Sequence, residues 1–263
     1  MKKFAVLTII LFSLLACNRR PQTSPSDVRS GPAADSPPPS GKAYKTVEID
    51  SLDGTPIVGS LYAADKPNSP ALLLLHQWQS DRHSFDDFAT RMQAKGFAVL
   101  AIDGRGFGES NHHANGSMLE AGRTDADVKA MLGDVDAAFS YLSKQPNVDP
   151  AKVGTVGASY GSSLAIIYAA DHVNVAAVAL MSPGVNYFGN MPTEPAVKKY
   201  GDRPLFMTAA ENDKESADSV RALASANPKA TPKIYSSGGH GQALFKVGVA
   251  DELENFLTAN LQK

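Results

Sequence analysis

The chain has 263 residues, 43% of them hydrophobic, enough for one sizeable core and short for two catalytic domains. Lys and Arg number 25 against 27 Asp and Glu, a formal charge of -2, so the composition excludes the basic balance of a nucleic-acid binder. A single Cys excludes an internal disulfide framework and any Cys-rich metal site.

Residues 1–16 open with Lys2 and Lys3 and run apolar from Phe4 to Ala16, interrupted by Thr8 and Ser13. That run is too short for a membrane-spanning helix, which needs about 20 residues, and suits the apolar stretch of an export signal. Leu14-Leu15-Ala16-Cys17 resembles the bacterial lipobox, and the resemblance implies that the sole Cys becomes the lipidated first residue of an exported protein, anchored to a membrane of the cell envelope. Residues 17–43 alternate Pro and Ser and cannot bury enough surface to offset their conformational entropy. They read as a disordered tether with a reach of roughly 25 to 30 Å.

Residues 44–263 carry the fold. Lys45–Ile49 and Ile57–Tyr62 read as an antiparallel hairpin closed by a turn at Asp53-Gly54. Thereafter apolar strands alternate with helical patterns: Ala71–Leu75, helix Phe85–Lys95, Phe97–Ile102, helix Asp125–Leu142, Val153–Val156, helix Ser162–Ala170 and Val175–Met181. The series ends with Leu205–Ala209, helix Ser216–Ala226, Lys233–Tyr235 and helix Ala250–Leu261. Strands without polar alternation, separated by helices, predict an α/β fold: a mostly parallel sheet covered on both faces. In Asp125–Leu142 the residues Val128, Met131, Leu132, Val135, Phe139 and Leu142 share one stripe, which reads as core.

Gly157-Ala158-Ser159-Tyr160-Gly161 matches G-x-S-x-G, and its context matters more than the match, because a strand precedes it and a helix pattern follows at once. Flanking Gly residues permit a tight strand-to-helix turn that holds a non-Gly nucleophile in a strained conformation. A Ser hydroxyl is unreactive near neutral pH without a base, and the base needs an orienting carboxylate. His240, flanked by Gly239 and Gly241 after the strand Lys233–Tyr235, is the candidate base. Asp213, just past the strand Leu205–Ala209, is preferred as the carboxylate over Glu211, which is too near the strand, and Asp218, which falls in the next helix.

With the order Ser159, Asp213, His240, residues 44–261 resemble α/β-hydrolases, in particular compact dienelactone-hydrolase-like esterases. The resemblance implies an oxyanion hole from the backbone N–H of Tyr160 and a second N–H from the turn His76-Gln77-Trp78, where Gln77 replaces the usual Gly, leaving Gln77 or Trp78 as the second donor. Asp103-Gly104-Arg105-Gly106-Phe107-Gly108-Glu109-Ser110 resembles the D-x-R-G-x-G-x-S turn of that family and reads as structural. Only 182–204 lies where larger relatives insert a cap, so no large cap domain is expected and the site is expected to be open. Tyr187, Phe188 and Met191, with Met118 and Leu119, are candidate walls of an acyl pocket or simple packing. His112-His113 has no third ligand nearby, and no cofactor or metal is indicated.

The expected activity is hydrolysis of a small-molecule ester through an acyl-enzyme. Two other readings share the sequence: a peptidase or amidase of the same fold, and a non-catalytic membrane-tethered lipoprotein that binds a ligand or partner. No feature fixes the oligomeric state.

Overall fold

The computed structural model describes residues 44–263. The export signal, Cys17 and the tether of the sequence reading lie outside the described residues.

An antiparallel hairpin, β1 (Lys45–Asp50) and β2 (Pro56–Tyr62), leads into the domain. Its turn is closed by the Thr55 N–H donating to Asp53 Oδ1 at 3.0 Å, with Gly54 at φ 78°, a value that favours Gly. Then come β3 (Ser69–Leu75), α1 (Asp86–Ala94), β4 (Ala98–Ile102), α2 (Asp125–Ser143), β5 (Val148–Ala158), α3 (Tyr160–Asp171) and β6 (Val175–Met181). A two-residue ribbon, β7 (Asn186–Tyr187) and β8 (Met191–Pro192), precedes α4 (Thr193–Tyr200). The chain finishes with β9 (Leu205–Ala210), α5 (Lys214–Ala226), β10 (Thr231–Tyr235) and α6 (Val249–Leu261).

The eight-stranded sheet has the order β1-β2-β4-β3-β5-β6-β9-β10. β2 pairs antiparallel with β1 and β4, and every other pairing is parallel. Every residue of β3 is buried, and its side chains divide between the two faces. Ala71, Leu73 and Leu75 join the layer beneath α2 to α5, whereas Leu72 and Leu74 join the layer beneath α1 and α6. Two covered faces explain why β3 and β4 carry no polar alternation. Each fully buried Leu is worth about 1.5 to 3 kcal/mol of apolar transfer.

Helix α2 begins one residue after Thr124, whose Oγ1 accepts from the Asp127 N–H at 3.3 Å while Asp127 Oδ2 accepts from the Thr124 N–H at 2.8 Å. The expected stripe is buried except for Leu132, which packs against the same layer while half-buried. The segment 182–204 contains no cap domain, but it does hold the ribbon and α4, neither of which was expected. Pro192, Pro195, Gly189 and Gly201 break up its pattern, and α4 shows too few turns for a periodic signal.

The chain order turns back at β3, which has β4 on one side and β5 on the other. Ligand crevices of open α/β sheets form outside the carboxyl ends of strands at such a reversal. Leu75 pairs with Gly157, so β3 and β5 end abreast and deliver their following turns to one place.

The loop after β4 is pinned by buried polar groups. Asp103 accepts from the backbone N–H of Arg82 at 2.7 Å and of Glu109 at 2.8 Å, and pairs with the Arg82 guanidinium. Ser110 Oγ donates to Asp103 O at 2.9 Å and accepts from the Val58 N–H at 2.8 Å, tying the loop to β2. Arg105 reaches down to Asp134 on α2 and across to Asp53 in the hairpin turn. Removing one partner of a buried pair strands the other, at a cost of about 3 to 5 kcal/mol. Arg82→Met should therefore lower the unfolding free energy read from urea denaturation by an amount in that range. Arg221→Met, which removes ion pairs to the exposed Glu211 and Asp218, should leave it unchanged.

Candidate active site

Ser159 occupies the single position between β5 and α3, with φ 54° and ψ -125°. A Cβ on Gly157 would strike Gly161 O and Ser162 N, and a Cβ on Gly161 would meet His76 O and Leu75 O at 2.5 Å. The two Gly thus serve contact as well as turning, letting α3 start directly against the end of β3. The Ser159 N–H donates to Met181 O at 2.8 Å, which fixes the turn from the β6 side.

His240 Nε2 lies 2.7 Å from Ser159 Oγ, and Nδ1 lies 2.7 Å from Asp213 Oδ2. A carboxylate only accepts, so the ring donates from Nδ1 and presents the Nε2 lone pair to the Ser159 hydroxyl. Ser159 is buried, the Asp213 side chain is 14% exposed, and that of His240 is 43% exposed, so solvent and ligands reach the chain of groups from the imidazole side. The rival carboxylates are committed elsewhere, Glu211 to Arg221 and Asp218 to Lys214 and Arg221.

Several supports escaped sequence reasoning. Asn212 Oδ1 accepts from the N–H groups of Gly238 and Gly239 at 3.0 and 3.1 Å, and Ser182 Oγ accepts from the Gly241 N–H at 2.9 Å, so the His240 loop is held at both ends. The Ser216 hydroxyl lies 3.4 Å from His240 Nδ1. Asn212 adjoins the expected carboxylate and was the one support with a local signal.

At the neighbouring turn, the Gln77 N–H donates to Gln242 Oε1 at 3.4 Å, whereas the N–H groups of Trp78 and Tyr160 donate to no acceptor among the described residues. His76 is locked between Gln77 O, 2.7 Å from Nδ1, and the Gly104 N–H, 2.9 Å from Nε2. The Trp78 ring packs edge-on against Phe107, Tyr160 and Phe188, with centroids 4.8, 5.3 and 4.8 Å away. The Arg123 guanidinium stacks over Trp78 and Phe188 at 4.7 and 4.9 Å.

Of the candidate pocket walls, Tyr187 and Phe188 reach the site. The Tyr187 phenol donates to Ser182 O at 2.9 Å beside the Ser159 and Ser216 hydroxyls, and burial pushes it above the usual phenol range. Met191 is fully buried in the core, and Met118 projects 66% exposed from a hairpin that His112 helps to form.

Burial drives the His76 ring below its ordinary 6.5, because the imidazolium would lose its hydration. At pH 7 the ring is neutral, donating from Nδ1 and accepting at Nε2. The unfolded chain takes up this proton first as pH falls through 6.5, so His76 contributes stability above that pH that is lost on acidification. Nitrogen NMR of the His76 ring should show it mostly neutral at pH 6.5, where an unperturbed ring is half protonated; a normal titration near 6.5 would contradict the burial argument.

The fold has many relatives of known structure. The dienelactone hydrolase from Anabaena variabilis ATCC 29413 superposes with a TM-score of 0.64 at 18% identity, over 83% of this chain and 99% of that one. The α/β hydrolase GrgF from Penicillium sp. sh18 superposes with a TM-score of 0.69 at 14% identity, over 84% and 99%. Likenesses at this identity establish the fold. In sequence, the thiohydrolase aneE of Aspergillus aculeatus is 30% identical over 126 residues, which make up 48% of this chain and 37% of that protein. The chain spans less than half the length of the curated relatives it matches. The model of the dienelactone hydrolase family matches residues 57–249, from β2 to the start of α6 and including Ser159, Asp213 and His240, and the chain belongs to that family.

Proposed function

We propose that this chain is a serine hydrolase that cleaves carboxylic esters of small molecules through an acyl-enzyme. The observation that carries the reading is the continuous chain from Asp213 through His240 to Ser159, with both links at 2.7 Å. In this reading Ser159 Oγ attacks the ester carbonyl while His240 Nε2 takes its proton, and Asp213 orients the ring and stabilises the imidazolium. The N–H groups of Tyr160 and Trp78 receive the developing oxyanion; both lack an acceptor among the described residues, whereas that of Gln77 is bonded to Gln242. Each such donor is worth about 3 to 4 kcal/mol in the transition state. The imidazolium then protonates the departing alcohol, and water, activated by the same ring, releases the acid.

Membership of the dienelactone hydrolase family supports hydrolysis, and the thiohydrolase among the relatives makes a thioester the second acyl donor to assay. The protein from residue 44 onward should turn over p-nitrophenyl acetate and butyrate, with Ser159→Ala reducing kcat by about a thousandfold or more. Equal rates for the two proteins would refute the reading, and preferential turnover of acyl p-nitroanilides would favour an amidase.

The reading extends to location. Cys17, the sole Cys, follows an apolar run at the site a lipid transfer would need, so we place the hydrolase on a bacterial envelope membrane through a lipid at that residue. Full-length protein made in a bacterial host should partition into the detergent phase of Triton X-114, and Cys17→Ser should move it to the aqueous phase. Unchanged partitioning of the variant would count against lipidation.

A further inference from the structure

Gln77 and Gln242 form a reciprocal bridge between the two turns that the proposed chemistry must hold in register. The Gln242 N–H donates to Gln77 Oε1 at 3.0 Å, and the Gln77 N–H donates to Gln242 Oε1 at 3.4 Å. Each side-chain oxygen thus answers the other residue's backbone, which dictates the orientation of both amides. The Gln242 amide is then left with its nitrogen outward, and Nε2 donates to Ser84 Oγ at 2.7 Å. Ser84 Oγ in turn donates to Asp81 O at 2.5 Å, so the chain of donors closes on backbone.

The bridge joins segments 165 residues apart in sequence. On one side, Gln77 immediately precedes Trp78, whose N–H has no acceptor among the described residues; on the other, Gln242 lies two residues after His240. Gly241, between them, has φ 59°, and a Cβ there would collide with Gln77 Oε1, so the closeness of the two turns requires both the Gly and the amide opposite it. Ser84 belongs to the short turn Arg82–Phe85, which the buried Arg82–Asp103 pair fixes to the sheet. The bridge is therefore tied through Ser84 to a turn that is fixed to the sheet. A Gly at position 77 could make the backbone bond but could not return one to Gln242.

We infer that Gln77 and Gln242 are paired positioning residues that hold the oxyanion turn and the His240 loop at a fixed separation. The inference rests on the hydrolase reading and deepens it: neither side chain reacts, and each acts through its neighbour, Trp78 or His240. Misplacing a catalytic group by a fraction of its reach lowers turnover while leaving ground-state binding nearly alone.

The test is a double-mutant cycle with Gln77→Met and Gln242→Met, which keep side-chain length and remove the hydrogen bonds. Rates on p-nitrophenyl acetate are normalised to the concentration of sites titrated by a fluorophosphonate, so that a loss of folded protein lowers the titre and not kcat. Each single variant should lose about tenfold in kcat with KM within about twofold, and the double variant should lose no more than a single one. Single variants within about twofold of wild type in kcat, losses that multiply to about a hundredfold in the double variant, or losses confined to KM would overturn the inference. A wild type that neither turns over ester nor takes the fluorophosphonate overturns the hydrolase reading itself, a result distinct from an active wild type with active variants.

Discussion

The backbone of Ser159 is the constraint on which the site depends. A non-Gly residue at φ 54° and ψ -125° sits outside the ordinary regions, at a cost on the order of 1 to 3 kcal/mol. That cost must be met by the surroundings, and the way they meet it explains much of the architecture. β5 is paired on both sides within the sheet, and α3 is buried along its whole length except at Ile167 and Asp171. With both neighbours immobile, the residue between them cannot relax, and its hydroxyl stays at the end of the sheet. The same immobility requires Gly157 and Gly161, because α3 can start that close to β3 only where no Cβ intervenes.

A hydroxyl held this rigidly keeps its hydrogen-bond partners only if they are held as well, and they arrive on loops. Asp213 comes at the start of α5, its N–H donating to Ala210 O at 2.9 Å and its carbonyl accepting from Ala217 at 3.0 Å. His240 comes on a Gly-rich segment with little intrinsic order, and there the structure concentrates side-chain supports: Asn212, Ser182 and the Gln77–Gln242 bridge. The turn after β4 provides the floor. Its Gly104 N–H fixes His76, and its Gly104 leaves room for the Tyr160 phenol, against which a Cβ would stand at 2.5 Å. Within the Asp103 to Ser110 segment, Asp103 and Arg105 pair with Arg82, Asp134 and Asp53.

What could be read in the sequence was whatever depends on local spacing. The apolar run Leu72–Leu75 marks a strand buried on both faces, and the Gly-x-Ser-x-Gly turn marks a strand passing into a helix. Asp213 could be chosen over Glu211 and Asp218 from its distance beyond β9. Three features were not legible. The ribbon and α4 lie in a segment whose Gly and Pro mask any period. The placement of β3 between β4 and β5 is a long-range pairing that no local pattern encodes. Gln242, in the short helical turn Gly241–Val247, gives no sign in sequence that it meets Gln77, since only the folded chain brings the two together. Gln77 itself was visible as a departure from the family's usual Gly, and its reason lies in that partner.

Around Ser159, many backbone donors are already used. The N–H groups of Gln77, Ser159, Ser162, Gly238, Gly239, Gly241 and Gln242 all have acceptors within the protein. Those of Tyr160 and Trp78 have no acceptor among the described residues, and they flank Ser159 on the turns that follow β5 and β3. A buried N–H without a partner costs about 1 to 3 kcal/mol. Negative charge developing beside Ser159 would recover that cost in the transition state, which is where binding energy accelerates a reaction. On the hydrolase reading, the surrounding hydrogen bonds hold the Tyr160 and Trp78 donors in place.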